Sequence, residues 1–406
     1  MDQLTSLGLI LLLALLAGHL VRFIRVPEVT GYILAGVALG PSLLGWLSQE
    51  NLLAMSVFSE VALGLILFAV GSVFEFSLFR RIGRQVLVLT LAESTLAAAV
   101  VTTGILYFGQ PWQVALLLGA IAIATAPAST LMVIRESDSA GPLTDTLLGI
   151  VAVNNLLCIT AYSLVAAAIE LLTPAGGAAS FLETFYRSGF LLLWQLVGSV
   201  ALGFLVGLLL AGWSSQVTEG GEVLILLAGA ILLCVGLSHL LDLSPLVASL
   251  AVGATMVNLA ERSRHVFGAL SATDPPFYAI FFVIAGAELD ARLIPAMGAL
   301  GVVYVLGRAI GKFAGAKLAA RRLGLSTEVQ NYLGFALLAQ AGLAVGLTLA
   351  VNSRFTGFAP VVSTVVLASV TIYEMIGPVS TRFALTRAGE VGLAKAAHDP
   401  MLPDRR

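Results

Sequence analysis

Apolar residues in this chain come in long, nearly unbroken runs, without the two-residue or three-to-four-residue alternation of elements that face water on one side. The first run, "LTSLGLILLLALLAGHLV" (Leu4 to Val21), is long enough to cross a bilayer as one helix, which takes about 20 residues. Thirteen such runs can be marked, at about 4–21, 28–46, 53–75, 84–107, 113–133, 143–170, 186–213, 222–240, 244–260, 267–288, 296–318, 329–351 and 359–384. In lipid every backbone N–H and C=O must be satisfied internally, so the runs predict helices and not open strands. The connections are short, and a tail of 388–406 follows the last run. The pattern predicts an all-α polytopic membrane protein with one transmembrane domain over 1–387.

Composition agrees. The chain is 59% hydrophobic and 11% charged, against about 25% charged residues in soluble domains. A net charge of −2 says little about partners, and no nucleic-acid partner is expected. Cys158 and Cys234 fall inside apolar runs and read as buried thiols, not as a disulfide framework. The N-terminal run lacks the basic flank of a cleaved leader and reads as the first span.

Basic residues divide by side. Taking alternate gaps, sixteen of the 21 lie on one face, among them Arg22, Arg25, Arg135, Arg262, Lys317, Arg382 and Arg387; only Arg187, Arg292 and Arg354 lie on the other. Positive charge stays on the cytoplasmic side, so the expected topology has the N-terminus outside and the C-terminus inside.

A weak internal symmetry runs through the chain. At a shift of 215 residues "GSVFEFSLF" (Gly71 to Phe79) lies over "GAELDARLI" (Gly286 to Ile294), and "ATAP" (Ala124 to Pro127) over "AQAG" (Ala339 to Gly342). Two readings stand: shared small-residue packing motifs, or spans 1–6 and 8–13 as repeats of opposite orientation joined by span 7. Inverted repeats place substrate sites at interrupted helices near the midplane. Two interruptions are legible. Span 5 carries Pro127, with Thr125, Ser129 and Thr130 able to satisfy freed backbone groups; span 12 carries Gln340 and Gly342. They read as discontinuous helices that cross, or as simple kinks.

The segments "VPEVTGYILAGVALGPSLLG", "ATAPASTLMVIRE", "FFVIAGAELD", "GRAIGKFAG" and "LLAQAGLAVG" are, in order and spacing, similar to those of the monovalent cation:proton antiporter superfamily. The likeness runs to about Arg387 and is strongest to its second large bacterial family, of sodium/proton and potassium/proton exchangers. The resemblance implies a homodimer in the bacterial inner membrane, with interface helices at about 1–75 and 222–290. It also implies a mobile core at about 84–170 and 296–387, a linker helix at about 186–213, and exchange of monovalent cations for protons without a cofactor.

The same resemblance marks a departure. Span 6 of that family carries adjacent polar residues, the second an acid that binds the cation or proton. In "LLGIVAVNNLLCITAY" these positions are Asn154 and Asn155. An amide can ligate sodium or potassium through its oxygen but brings no negative charge and exchanges no proton near neutral pH. Asn155 either faces the cargo or serves as an interhelix hydrogen-bonding group. The candidate ion site comprises Asn154, Asn155, Thr125, Ala126, Ser129, Gln340 and Lys312.

Other charges lie within spans. The 215 shift carries Glu93 onto Arg308, so these two are expected to pair across the pseudo-axis. Lys312, one turn beyond Arg308, matches the lysine that the family sets beside its acid. Here it faces an amide, or snorkels to the interface. Glu374 in "TIYEMIGP" is a secondary titratable candidate. The four histidines lack metal-ligand spacing, so no metal other than the transported cation is expected. No nucleophile–base spacing or phosphate loop points to an enzyme. Three classes remain: a cation:proton antiporter, a channel-like or anion-conducting variant, and a non-transporting membrane protein that senses or scaffolds, a transport-inactive form of Asp-to-Asn type among them.

Overall fold

Proline and glycine decide where the helices begin and end. In the computed structural model, which describes residues 3–24, 26–172, 190, 194–217 and 220–394, the helices are α1 (Gln3–Phe23), α2 (Glu28–Leu39), α3 (Gln49–Gly71), α4 (Phe76–Tyr107), α5 (Trp112–Ile121), α6 (Pro127–Glu136) and α7 (Pro142–Leu172). A π turn at Trp194–Gly198 leads into α8 (Ser199–Ser214), followed by α9 (Gly220–Leu240), α10 (Pro245–Leu259), α11 (Ser263–Thr273) and α12 (Pro275–Glu288). The chain continues through α13 (Leu293–Ala296), α14 (Gly298–Arg322), α15 (Thr327–Ala336), α16 (Gly342–Arg354) and α17 (Ala359–Ala388). No strand occurs among the described residues. Proline stands in the first turn of α6, α10, α12 and α17, where its missing N–H would have had no intrahelical partner.

Among the described residues eight helices are long and apolar enough to cross a membrane: α1, α3, α4, α7, α8 with its π turn, α9, α14 and α17. Two expected boundaries move. The run at 28–46 is helical only to Leu39, because Gly40 turns extended ahead of Pro41. The run at 267–288 is two helices divided at Asp274, ahead of the Pro275–Pro276 pair. Arg25, Arg187, Lys395, Arg405 and Arg406, with the start of the linker run and most of the tail, lie outside the described residues. Cys158 and Cys234 are buried free thiols.

The packing of α4 against α14 positions the site. Three glycines spaced four apart, Gly307, Gly311 and Gly315, form a smooth stripe on α14. A Cβ at Gly315 would fall 2.6 Å from the Cα of Glu93, and one at Gly311 would fall 2.4 Å from the Cα of Ala97. Such stripes let helix backbones approach closely in lipid. The two helices run antiparallel, so Gly315 lies opposite Glu93, Gly311 opposite Ala97 and Gly307 opposite Val101.

Candidate functional site

Two helices are interrupted, and the interruptions touch. Residues 122–126 separate α5 from α6, and residues 337–341 separate α15 from α16. The Ala126 N–H donates to the Ala339 carbonyl at 3.0 Å, tying one break to the other. At the first break Pro127 opens α6, and the Thr130 hydroxyl bonds back to the Ala126 carbonyl at 2.9 Å. At the second, Gly377 of α17 lies against Ala339 where a Cβ would clash at 2.6 Å.

Helices that stop inside a protein leave carbonyls without donors. Arg308, fully buried, answers both breaks at once. Its Nε donates to Ala122 O (3.1 Å) and its Nη2 to Ala124 O (2.6 Å) on one side; Nη1 reaches Leu338 O (2.7 Å) and Nη2 Ala339 O (3.3 Å) on the other. The guanidinium lies 4.3 Å over the Tyr373 ring. Its positive charge also sits where two half-helix C-termini present negative partial charge. Gln340 adds a second brace: its amide nitrogen donates to Ile121 O (3.2 Å) and Tyr304 Oη (3.0 Å), and its oxygen accepts from Ser369 (3.4 Å).

The expected Glu93–Arg308 pair does not form. Lys312 takes that place, its Nζ 2.7 Å from Glu93 Oε2, both side chains fully buried. The reason is the antiparallel crossing: Arg308 lies opposite Val100, about 10 Å along the axis from Glu93, whereas Lys312 is one turn from Gly315, the residue that faces Glu93. Lys312 therefore has an acid beside it, contrary to the sequence expectation, and it does not snorkel. Its Nζ also donates to Ile123 O and Thr125 Oγ1, each at 2.9 Å. Glu93 Oε1 accepts from Asn154 Nδ2 at 2.7 Å and from Ser94 Oγ at 2.9 Å. Removing one partner of such a buried pair costs about 3–5 kcal/mol, because the other is left as a bare charge.

Asn155 points elsewhere. It lines a cavity of about 30 Å³, shared with Thr125, Ala126, Pro127, Phe281 and Gly342. That is room for a water or a single small ion. Its Oδ1 is buried and finds no donor. The cavity lies where the two breaks face α3, α10 and α12, through Leu63, Leu67, Leu246 and Phe281. Of the candidates, the structure brings Asn154, Glu93, Lys312 and Thr125 into one hydrogen-bonded network, sets Arg308 and Gln340 on the carbonyls of the breaks beside it, and places Asn155, Thr125 and Ala126 on the cavity. Ser129 Oγ and Glu374 Oε2 are buried without hydrogen-bond partners.

Sequence reasoning missed the ties at the end of the bundle where α6 and α17 finish. Glu136, beyond the end of its span, accepts from the Glu28 backbone N–H (2.7 Å) and from Arg382 (3.0 Å). Arg22 pairs with Glu28, and Arg135 of α6 pairs with Asp274 ahead of α12. Burial pushes the Glu136 carboxyl above the usual carboxylate range; the Glu28 N–H and Arg382 pull against that rise. Glu390, nearly buried, accepts from the N–H groups of Leu143 and Thr144, each at 2.7 Å, and caps α7 from 246–247 residues away. The signal lay in acids set beside basic residues at span ends, a pattern also produced by ordinary solvated faces.

A bundle of membrane-length helices, with two further helices interrupted at touching points around buried charges, defines a multi-pass secondary transporter. The family model described as sodium/hydrogen exchanger, transmembrane, matches residues 8–386, and the chain belongs to that family of antiporters. It is 26% identical over 349 residues to the iron transporter MagA of Paramagnetospirillum magneticum, spanning 84% of this chain and 76% of that protein. It is 23% identical over 364 residues to the ammonium/H(+) antiporter subunit AmhT of Alkalihalophilus pseudofirmus, spanning 87% and 89%. In fold it is similar to the sodium proton antiporter MjNhaP1 of Methanocaldococcus jannaschii. Two structures of that protein, at 17% and 18% identity, give TM-scores of 0.67 and 0.73 and cover 97% and 99% of this chain and 98% and 99% of theirs.

Proposed function

We propose that the chain is a monovalent cation:proton antiporter that works by alternating access, with α4–α7 and α14–α17 moving as a core against α1–α3 and α9–α12. The observation that carries this reading is the small cavity where both breaks meet those outer helices. Its lining includes Asn155 and Thr125, whose side chains carry neutral oxygens of the kind that ligate a monovalent cation, beside break residues Ala126 and Ala341. Iron would call for softer or charged ligands, and no group of three His, Cys, Asp or Glu gathers among the described residues. Sodium, potassium and ammonium are the candidate cargoes.

Pairings across the fold support two six-helix inverted repeats within thirteen spans, counting the short and broken helices as spans. α4 packs on α14, and the α5/α6 break bonds the α15/α16 break. α2 meets α12 through Gly36 and Gly286, and α3 meets α10 through Gly71 and Gly253. The second and third helices of one repeat thus meet the third and second of the other. The basic-residue asymmetry supports an outside N-terminus and a cytoplasmic C-terminus, and the family likeness supports a homodimer. Lys312 reaches the cavity through one hydrogen bond, to Thr125, so a cation in the cavity favours loss of its proton.

One feature favours a second reading, anion conduction or transport inactivity: no carboxylate lines the cavity, and the N-termini of α6 and α16 open on it. Purified protein in proteoliposomes with a trapped pH dye separates the classes. Proton movement driven by sodium, potassium or ammonium, and lost in Lys312→Gln, is the expected result. Anion flux independent of cations, or silence, refutes antiport.

A further inference from the structure

The cavity lacks a carboxylate in its lining, yet one stands just behind it. Thr125 lines the cavity. Its Oγ1 accepts from Lys312 Nζ at 2.9 Å, and the same Nζ donates to Glu93 Oε2 at 2.7 Å. The route from cavity to carboxylate is therefore two hydrogen bonds long. On the far side of Glu93 the orientation of the Asn154 amide is fixed by what it touches. Its Nδ2 donates to Glu93 Oε1 (2.7 Å) and Ser94 Oγ (3.0 Å), and its Oδ1 is left buried without a partner. An unpartnered acceptor is a cost, accepted here in order to present N–H to Glu93. An aspartate at 154 would set a second acid against the first, and two carboxylates sharing one buried site do not both ionise. An amide is what an acid at 93 requires of position 154.

Resting on the antiporter reading above, we infer that the counter-charge of the site has moved from α7 to α4. Glu93 is the single anionic group for which the Lys312 ammonium and the transported cation compete. Three neighbouring groups that could compete for it are already committed: Arg308 to four carbonyls of the breaks, Ser94 to Glu93 itself, and the Cys158 thiol of α7 to Ala120 O at 3.5 Å. The exchange balances. With the site empty, Glu93 is an anion and Lys312 an ammonium. When a monovalent cation enters, Lys312 releases one proton, becomes a neutral amine and leaves the carboxylate to the cation. The net charge of the loaded core is the same in both forms, so the inference specifies one cation for one proton.

The test uses the full chain in proteoliposomes, with thermal midpoint in detergent as a second readout. Glu93→Gln alone strands Lys312 and endangers folding, so the informative variants are Glu93→Gln/Lys312→Gln, which is neutral, and Glu93→Gln/Asn154→Asp, which returns the acid to α7 beside the lysine. The neutral pair is expected to fold and to lose cation-driven proton flux by roughly 100-fold or more, because it removes the proton carrier and leaves a buried cation without a counter-charge, a desolvation cost of several kcal/mol. The relocated acid is expected to recover flux to within about tenfold of the parent. A neutral pair that transports like the parent overturns the inference. So does a relocated-acid variant with the parent's midpoint and no recovered flux. A parent without exchange refutes the antiporter reading instead. The inference is then decided by midpoint: sodium, potassium or ammonium must raise that of the parent and not that of the neutral pair, and equal shifts overturn it.

Discussion

Replacing Arg308 with lysine keeps the buried charge and removes the fork, which isolates what the fork does. The guanidinium serves four carbonyls, two on each break. An ammonium on a shorter stem donates from one point. It can stay with one break but cannot span to the other, so it gives up either Ala122 and Ala124 or Leu338 and Ala339, the last of which still accepts from the Ala126 N–H. Each buried carbonyl left unpaired costs about 1–3 kcal/mol, or about 1–6 kcal/mol for one or two. At roughly 2 °C per kcal/mol for a large chain, the thermal midpoint should fall by about 2–12 °C. Differential scanning fluorimetry of Arg308→Lys beside the parent, in the same detergent, measures this directly. Flux in proteoliposomes should fall as well, because the break geometry sets the cavity. A midpoint within about 2 °C of the parent, with exchange unchanged, would refute the argument and show that the breaks hold each other without the fork.

Asn155→Asp adds a carboxylate to the cavity lining; attraction of about 4 kcal/mol at 4 Å, less desolvation, should tighten apparent cation affinity by roughly tenfold or more, and an unchanged half-saturating concentration would show that Asn155 does not face the cargo. Glu374→Gln breaks no hydrogen bond among the described residues, so the midpoint should hold and proton-coupled flux should persist; loss of coupling would move the proton site from Lys312 to Glu374. Glu136 has its carboxyl raised by burial, so its contribution to the tied form is complete below the ordinary carboxylate value and is lost as pH rises through the raised one. A rise in pH through that range on that side should favour release of the Glu28–Glu136–Arg382 tie, and Glu136→Gln should flatten that part of the pH–rate profile; an unaltered profile would assign the dependence to another group.

The interruptions were legible because they are written in local chemistry: Pro127 and Gly342 each open a half-helix where the sequence marks it. The partner of Glu93 was not. A shift of 215 residues matches equivalent positions in two repeats, but antiparallel helices bring equivalent positions together only at their crossing point. Gly311 and Gly315 put that crossing near Ala97 and Glu93, away from Arg308. The division of α11 from α12 at Asp274 was hidden because apolar residues flank the short polar stretch Ser271–Asp274 on both sides; the Pro275–Pro276 pair was the overlooked sign. Arg135–Asp274 and the Glu136 cluster depend on which span ends meet in space, and hydropathy carries no such information.

The carboxylate that caps α7 ties the segment after α17 to the start of that helix. Glu390 grips the first turn of α7, while Gly392 and Ala394 donate backbone hydrogen bonds to Ser137 and Asp138, each at 2.9 Å. α7 is a continuous rod of 31 residues, and its amide pair lies about 15 Å from the gripped end at 1.5 Å per residue. A pull or twist applied at residue 394 is therefore delivered along a stiff axis to Asn154 and Asn155, with nothing having to touch the cavity. The segment after α17 is thus joined mechanically to the Asn154–Asn155 turn, and the joint rests on three hydrogen bonds to one glutamate.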